Sequence, residues 1–337
     1  MPESHAPTDS GTVRALLCDA FGTPAALRIG GLPHRKLGAG EVRIRVHAAV
    51  LSFADGLITA GAYQVKPALP FVPGACGAGQ VIEIADGVTA VARGEMVTFF
   101  GLHGACAQEV VCDAGSVMAA SPGLAPEQAA IVRLFYPPVY FALNRRAALQ
   151  AGETLFVTGA GGASGIAAVK LGKRMGARVI AGASTRAGLT RAAEAGADHG
   201  VNYASETLKD VVAKLTDGRG VDVAFDMVGG DLFDQCARCM AEFGRLVVFG
   251  FASGDIPLFK VNRALLKNYA VVGANFGSWG IGRNADQARA IMAVLNDWAS
   301  AGALGGDAVT RFDLDDAAQA VEAVRRKENG TRIVVRI

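Results

Sequence analysis

The feature that most constrains this chain is a buried-looking strand running directly into a glycine-rich turn and then a helix. Thr154 to Thr158 (TLFVT) is a continuous apolar run, as a strand covered on both faces requires. It is followed by Gly159-Ala160-Gly161-Gly162-Ala163-Ser164-Gly165 and a helical stretch to Met175. On that stretch Lys170, Lys173 and Arg174 share one side, while Ala168, Leu171, Gly172 and Met175 share the other. Glycines let a backbone turn sharply and approach a pyrophosphate, and a helix N-terminus offers free N–H groups and a positive dipole end. The usual G-x-G-x-x-G is imperfect, with Ala160 in the first glycine position ahead of Gly162 and Gly165. A glycine-rich turn in an unrelated α/β protein is the competing reading, and the strand–turn–helix context weighs against it.

The surrounding texture fits a doubly wound sheet. Apolar runs at Arg178 to Ala183, Val221 to Asp226, Arg245 to Phe251 and Tyr269 to Ala274 alternate with helical segments that close near glycines. Before Pro126 the pattern differs. From Val13 to about Ala120 it consists of short strands and turns, among them Val42 to Val50, Gly79 to Ala85 and Gly104 to Cys112. The last stretch predicts helices over Asp286 to Ala301 and Leu314 to Lys327 and a strand over Arg332 to Ile337. Strand counting returns this tail to the first domain. The expected division is therefore a mostly-β domain over 1–130, completed by 276–337, and an α/β nucleotide domain over 131–275.

The second strand of the nucleotide domain discriminates between cofactors. A carboxylate at its end would accept from a ribose 2′-OH and repel a 2′-phosphate. The sequence reads Ala181-Gly182-Ala183-Ser184-Thr185-Arg186, without an acid. Ser184 and Thr185 can donate hydrogen bonds and Arg186 can pair with phosphate, so NADPH is expected over NADH. Arg186 opening the next helix in solvent is the plainer alternative.

Bulk composition excludes several classes. A formal charge of +2 over 337 residues, with Lys and Arg scattered, gives no reason to expect nucleic acid. No stretch approaches the roughly 18 uninterrupted apolar residues of a membrane helix. Residues 1–12 read as a polar tail rather than a signal peptide, so a cytoplasmic location is expected. Six cysteines do not make a disulfide framework in a chain of this size. Cys236 and Cys239 form a C-x-x-C, but within Asp231 to Phe243, a segment predicted to be helical, and with no second pair nearby.

Taken together these phrases resemble the medium-chain dehydrogenase/reductase superfamily, specifically its zinc-free quinone oxidoreductase branch. Besides the glycine turn, the resemblance is carried by Leu69-Pro70-Phe71-Val72-Pro73-Gly74, Ala195-Gly196-Ala197-Asp198 with Val201-Asn202-Tyr203, Asp222 to Gly230 (DVAFDMVGG), and Gly330 to Val335. It implies a GroES-like catalytic domain beside a Rossmann domain, an active-site cleft between them, and a homodimer. The positions that hold catalytic zinc in metal-dependent relatives resemble Ser52, Ala75 and Cys76 here, and the four-cysteine structural lobe is absent between Phe100 and Gly104. No metal is therefore expected.

The resemblance also assigns roles. Ser52, in place of the usual asparagine, can hydrogen-bond a carboxamide or substrate oxygen, and Tyr63 can donate to the acceptor oxygen or merely pack. Tyr203 matches a tyrosine near the 2′-phosphate, and Phe249, Gly250, Phe251 and Arg332 join the cofactor-binding set. Phe276 and Trp279 would form an aromatic wall over a flat substrate. Two departures are Pro138, where a threonine is usual beside the nicotinamide, and Gly188, where a lysine often meets the 2′-phosphate. The expected reaction is hydride transfer from NADPH to a quinone or related conjugated carbonyl. Reduction of an enone or 2-enoyl thioester is the nearest alternative. An NADPH-binding structural or RNA-binding role is an alternative of another class.

Overall fold

The computed structural model describes residues 11–22, 24–280, 284–326 and 332–337. The chain divides into two compact units, one of Met1–Leu134 with Gly305–Ile337 and one of Phe135–Leu304.

The first unit is built on antiparallel strands. β1 (Thr12–Cys18) pairs with β2 (Leu27–Pro33). A seven-stranded sheet contains β3 (Glu41–Leu51), β4 (Cys76–Ile84), β5 (Met96–Phe100), β6 (Glu109–Asp113), β7 (Val117–Ala119), β14 (Val309–Asp313) and β15 (Arg332–Arg336). Its order is β14-β15-β3-β4-β5-β7, with β6 also on β3. Val42, Ile44 and Val46 of β3 point into the core by the alternation that the sequence shows. Arg43 breaks the alternation, being buried with its Nε donating to Glu83 at 2.7 Å. Helices α1 (Phe53–Thr59) and α10 (Ala317–Arg325) belong to this unit. The expected strand at Gly104 to Cys112 is shorter than anticipated, because Ala107 only bridges Ala15 and regular pairing begins at Glu109.

The second unit is a six-stranded, wholly parallel sheet in the order β10-β9-β8-β11-β12-β13. These strands are β8 (Thr154–Val157), β9 (Arg178–Ala183), β10 (His199–Asn202), β11 (Val221–Asp226), β12 (Met240–Val248) and β13 (Ala270–Gly273). The intervening helices are α3 (Ala163–Arg174), α4 (Arg186–Glu194), α5 (Leu208–Leu215), α6 (Gly230–Cys239) and α7 (Asn262–Lys267). The chain winds outward from β8 to β10, returns to the other side of β8 and winds outward again. The order reverses between β8 and β11, the crevice where ligands of such sheets bind.

Three expectations need correction. The helix predicted over Asp231 to Phe243 ends at Cys239, and Met240 already begins β12. Phe243 then adopts φ 57° ahead of Gly244, and the register with β11 shifts there. Second, β12 ends at Val248 rather than Phe251. Third, residues 276–304 cluster with the second unit, and the return to the first begins at Gly305. The cause is aromatic anchoring. In α9 (Ala285–Ser300), Trp298 packs on Tyr140, the last residue of α2 (Pro126–Tyr140), and beneath Arg174 of α3. Phe276 and Trp279 of α8 (Phe276–Trp279) pack on Phe141. No helix among the described residues is long and apolar enough to cross a membrane.

Candidate functional site

The carboxyl ends of β8 and β11 are tied together by Thr158 and Asp226. The Thr158 hydroxyl donates to Asp226 Oδ1 at 2.7 Å and accepts from the Met227 N–H at 3.1 Å. That leaves the next residues free to turn. Gly159 takes φ +58°, a left-handed conformation that favours glycine. Because Gly159 makes that turn, Ala160 needs no positive φ, and it is fully buried with its N–H on the Gly182 carbonyl at 2.9 Å. The imperfect motif thus keeps its geometry. Two later glycines are required by close approach. A Cβ on Gly161 would lie 2.4 Å from Gly188 Cα, and one on Gly165 would lie 2.2 Å from the Gly159 carbonyl oxygen. Gly162 is the N-cap of α3 with no side-chain cap, so the Ser164 and Gly165 N–H groups of the first turn have no acceptor within their helix.

At the end of β9, Ser184, Thr185 and Arg186 are exposed. Thr185 caps α4 by accepting from the Gly188 N–H at 3.1 Å. Tyr203 comes to the same place, its hydroxyl lying near the Ser184 side chain and the Gly159 backbone. Burial nonetheless pushes that phenol above its ordinary value. Arg186 forms no ion pair among the described residues. A second cation escaped the sequence reading. Half-buried Arg191, one turn after Gly188, donates its Nε to the Gly161 carbonyl at 3.1 Å and also lacks a carboxylate partner among the described residues. Its signal was the helical spacing from Gly188, which puts both on the face toward the turn.

The remaining assigned residues are distributed unevenly. Phe249 lies just past β12, its N–H on the Asp226 carbonyl at 2.8 Å and its ring 4.6 Å from that of Phe225. Gly250 follows, and Phe251 is 40% exposed. Arg332 stands apart as a correction. It is 1% exposed in the first unit and ion-paired at 3.5 Å with the fully buried carboxylate of Asp307, an internal pair rather than a cation open to a phosphate. The two expected wall residues do meet: Phe276 and Trp279 have centroids 6.0 Å apart, and Phe141 joins them at 5.7 and 4.6 Å. The Arg145 guanidinium lies over the Trp279 ring at 5.7 Å.

In the first unit Ser52 begins α1 and is bound to Asp55. Its N–H and its hydroxyl both donate to Asp55 Oδ2, at 2.7 and 2.8 Å. The hydroxyl proton is thereby committed, which leaves Ser52 as an acceptor, suited to a carboxamide N–H rather than a substrate oxygen. Tyr63 is half-buried against the core, with no partner for its hydroxyl among the described residues.

These residues do not fit zinc. Ala75 offers no donor atom, Ser52 no thiolate, and the wholly buried Cys76 thiol donates to the Ala130 carbonyl at 3.5 Å while burial pushes it up to about 12. No cluster of three or more metal-binding side chains occurs among the described residues. Cys236 and Cys239 are buried in α6, and burial pushes both thiols up, Cys239 to about 12.

The parallel sheet, its reversal point and the glycine turn define a dinucleotide-dependent oxidoreductase, and comparison with known proteins narrows the class. The alcohol dehydrogenase GroES-like domain family matches residues 38–130 and the zinc-binding dehydrogenase family matches residues 163–296. A quinone oxidoreductase-like protein 2 homolog of Nematostella vectensis is 39% identical over 274 residues, covering 81% of this chain and 74% of that one. A quinone oxidoreductase of Pseudomonas aeruginosa is 30% identical over 324 residues, 94% of this chain and 97% of the other. A mycobacterial protein solved in complex with NADPH superposes with a TM-score of 0.86 at 26% identity, covering 96% of this chain and 100% of its own. The chain belongs to the zinc-free quinone oxidoreductase branch of the medium-chain dehydrogenase/reductase superfamily.

Proposed function

We propose that the protein is an NADPH-dependent reductase of quinones and related conjugated carbonyl compounds. The observation that carries the cofactor half is the pair Arg186 and Arg191 beside a strand end that lacks a carboxylate. Gly159 to Gly165 and the first turn of α3 would hold the pyrophosphate, with Ser184, Thr185, Tyr203, Arg186 and Arg191 around the 2′-phosphate. Phe249, Gly250 and Phe251 would border the cofactor.

When bound, the dinucleotide supplies a hydride. The acceptor must then carry negative charge, and without a metal this favours substrates whose conjugation spreads it. A quinone that receives hydride becomes a hydroquinone monoanion, and one proton completes it. Tyr63, its hydroxyl without a partner among the described residues, would donate toward that oxygen.

The reading includes a homodimer joined along β13. That strand pairs only with β12 among the described residues, so its outer edge is open. Around it Ile256, Leu258, Val261, Leu265 and Leu266 are 75–93% exposed and Val271 is 37% exposed. An apolar open edge is a template for strand pairing, and a twofold axis satisfies it with a second copy.

The deciding experiment follows NADPH and NADH oxidation against a panel of quinones, enones and 2-enoyl thioesters. Quinone-stimulated oxidation with NADPH preferred is expected. Turnover confined to thioesters, or oxidation of simple alcohols with NADP⁺ and none of the panel, would overturn the proposal.

A further inference from the structure

Arg133 of the first unit has no carboxylate partner among the described residues. Arg133 lies on α2 three residues after Ala130, so both project from one side of that helix. Cys76 donates to the Ala130 carbonyl, and Phe100, the cross-strand partner of Cys76, lies beneath the Arg133 guanidinium with its centroid 6.0 Å away. Ser52 follows directly on the β3 segment that pairs with Cys76, and Asp55 accepts from Ser52 and from the Ala75 backbone. Thus Arg133 stands near Cys76, one of the three residues whose donor set does not fit a metal.

The partners of Arg133 are weak. It donates to the Ser116 carbonyl at 3.4 Å, its Nε is buried without a hydrogen-bond partner, and no carboxylate pairs with it among the described residues. No hydrogen bond or ion pair joins Asp55 to Arg133; Asp55 Oδ2 is taken up by Ser52, and its Oδ1 is buried without a partner. Guanidinium keeps its charge even where burial lowers its pKa. Arg133 is half-buried with its Nε shut off from solvent, and a charge held there without a counter-ion leaves that place to a ligand. The aromatic surface beside it, Phe100 at 44% exposure, suits a flat unsaturated ligand.

We infer that Arg133 is an oxyanion-binding residue, holding the anionic oxygen of a phenolate- or enolate-type ligand beside Phe100. In the proposed reaction that ligand is the hydroquinone monoanion: hydride brings two electrons and one hydrogen to the quinone, its π system is reduced, and the oxygen left negative pairs with Arg133 until one proton completes the hydroquinone. The reaction rests on the proposed function. The binding does not.

The test uses 4-nitrophenol, whose neutral and ionised forms differ in absorbance, titrated into the full-length protein with and without NADP⁺. Wild-type protein is expected to bind the phenolate about tenfold more tightly than the phenol, which lowers the bound probe's ionisation by about one pKa unit. Arg133→Lys should keep part of that preference. Arg133→Gln should bind both forms alike while its melting temperature stays near that of the wild type. A wild type without the preference overturns the inference, as does a folded Arg133→Gln that retains it. If Arg133→Gln fails to fold, an unchanged preference in Arg133→Met or its absence in the wild type decides the same point. Quinone reduction without an Arg133-dependent preference removes this inference alone, whereas the preference without quinone or enone turnover removes the proposed function alone.

Discussion

Arg191 Nε donates to the Gly161 carbonyl oxygen at 3.1 Å, so a cation of α4 is fastened to the glycine turn. The bond does two things. It fixes the turn against α4, where a Cβ on Gly161 would already collide with Gly188. It also leaves the terminal nitrogens of the guanidinium beside the end of β9, where a phosphate can reach them.

Arg186 and Arg191 should therefore differ when each is changed to alanine. Arg186→Ala should weaken NADPH binding by about 1–3 kcal/mol, the range for a charge-assisted hydrogen bond, and leave NADH binding nearly unchanged. Arg191→Ala should weaken both, because the turn loses its tether, and NADPH more. Fluorescence titration of both cofactors measures this. Equal affinities for NADPH and NADH in the unaltered protein would contradict the assignment.

Three of the four loop glycines, Gly161, Gly162 and Gly165, should not be equivalent. Alanine at Gly161 or Gly165 places a methyl 2.4 or 2.2 Å from backbone atoms that cannot yield cheaply, whereas at Gly162 the nearest atom is 3.3 Å away. Gly161→Ala and Gly165→Ala should cost on the order of 1–3 kcal/mol or more and impair cofactor binding. Gly162→Ala should be mild. Denaturant unfolding and cofactor titration of the three variants check the order, and a Gly162→Ala as damaging as the others would refute it.

Acid should loosen the sheet in a defined window. Burial alone raises Asp198 and Asp222, but Lys173 and the Val179 N–H, and Arg219 and the Thr154 N–H, outweigh it and hold both carboxyls below their ordinary value. A depressed folded-state pKa contributes stability that is present above the unfolded value of about 3.9 and is lost as pH falls through the folded value. Melting temperature should therefore fall below about pH 4, and Asp222→Asn should flatten that fall. An Asp222→Asn variant with an unaltered acid profile would show that the Arg219 pair does not matter.

The legible part of the fold was the part with period and punctuation. The runs at Thr154, Arg178 and Val221 read as buried strands because they are. β10 escaped notice since His199-Gly200-Val201-Asn202 has a single buried apolar side chain, Val201. Met240 to Phe243 read as the end of a helix, because periodicity cannot sense that Gly244 packs where a Cβ would meet the Asp222 carbonyl at 3.0 Å. Strand counting assigns 276–304 to the first unit because it does not register Trp298 on Tyr140, whereas contacts group these residues with the second. At the candidate site the glycines were visible by spacing. Arg191 and Arg133 were not, since an arginine in a helix looks solvated until its neighbours are known.

The open edge gives a sharper test of assembly. Leu265 and Leu266 are 78% and 77% exposed on α7, and Leu258 is 93% exposed. Paired Leu265→Asp and Leu266→Asp changes should convert a dimer to a monomer in sedimentation, with little effect on the melting temperature of the monomeric fold. A native protein already monomeric at micromolar concentration would remove the proposal.

Tyr63 separates hydrogen bonding from packing in the acceptor site. Its ring is half-buried against the first unit's core, and its hydroxyl has no partner among the described residues. If that hydroxyl donates to the oxygen on which charge develops, Tyr63→Phe removes an interaction that strengthens only as hydride arrives. kcat and kcat/KM should then fall together, by about 100- to 1000-fold for a single donor of this kind. If the side chain only packs, Tyr63→Phe should be nearly silent and Tyr63→Ala should chiefly raise KM, because the lost contact is felt equally before and at the transition state. Steady-state kinetics of both variants with one quinone under saturating NADPH distinguishes the two. A silent Tyr63→Phe would leave solvent as the proton source. A fall in kcat with KM unchanged would make Tyr63 the donor.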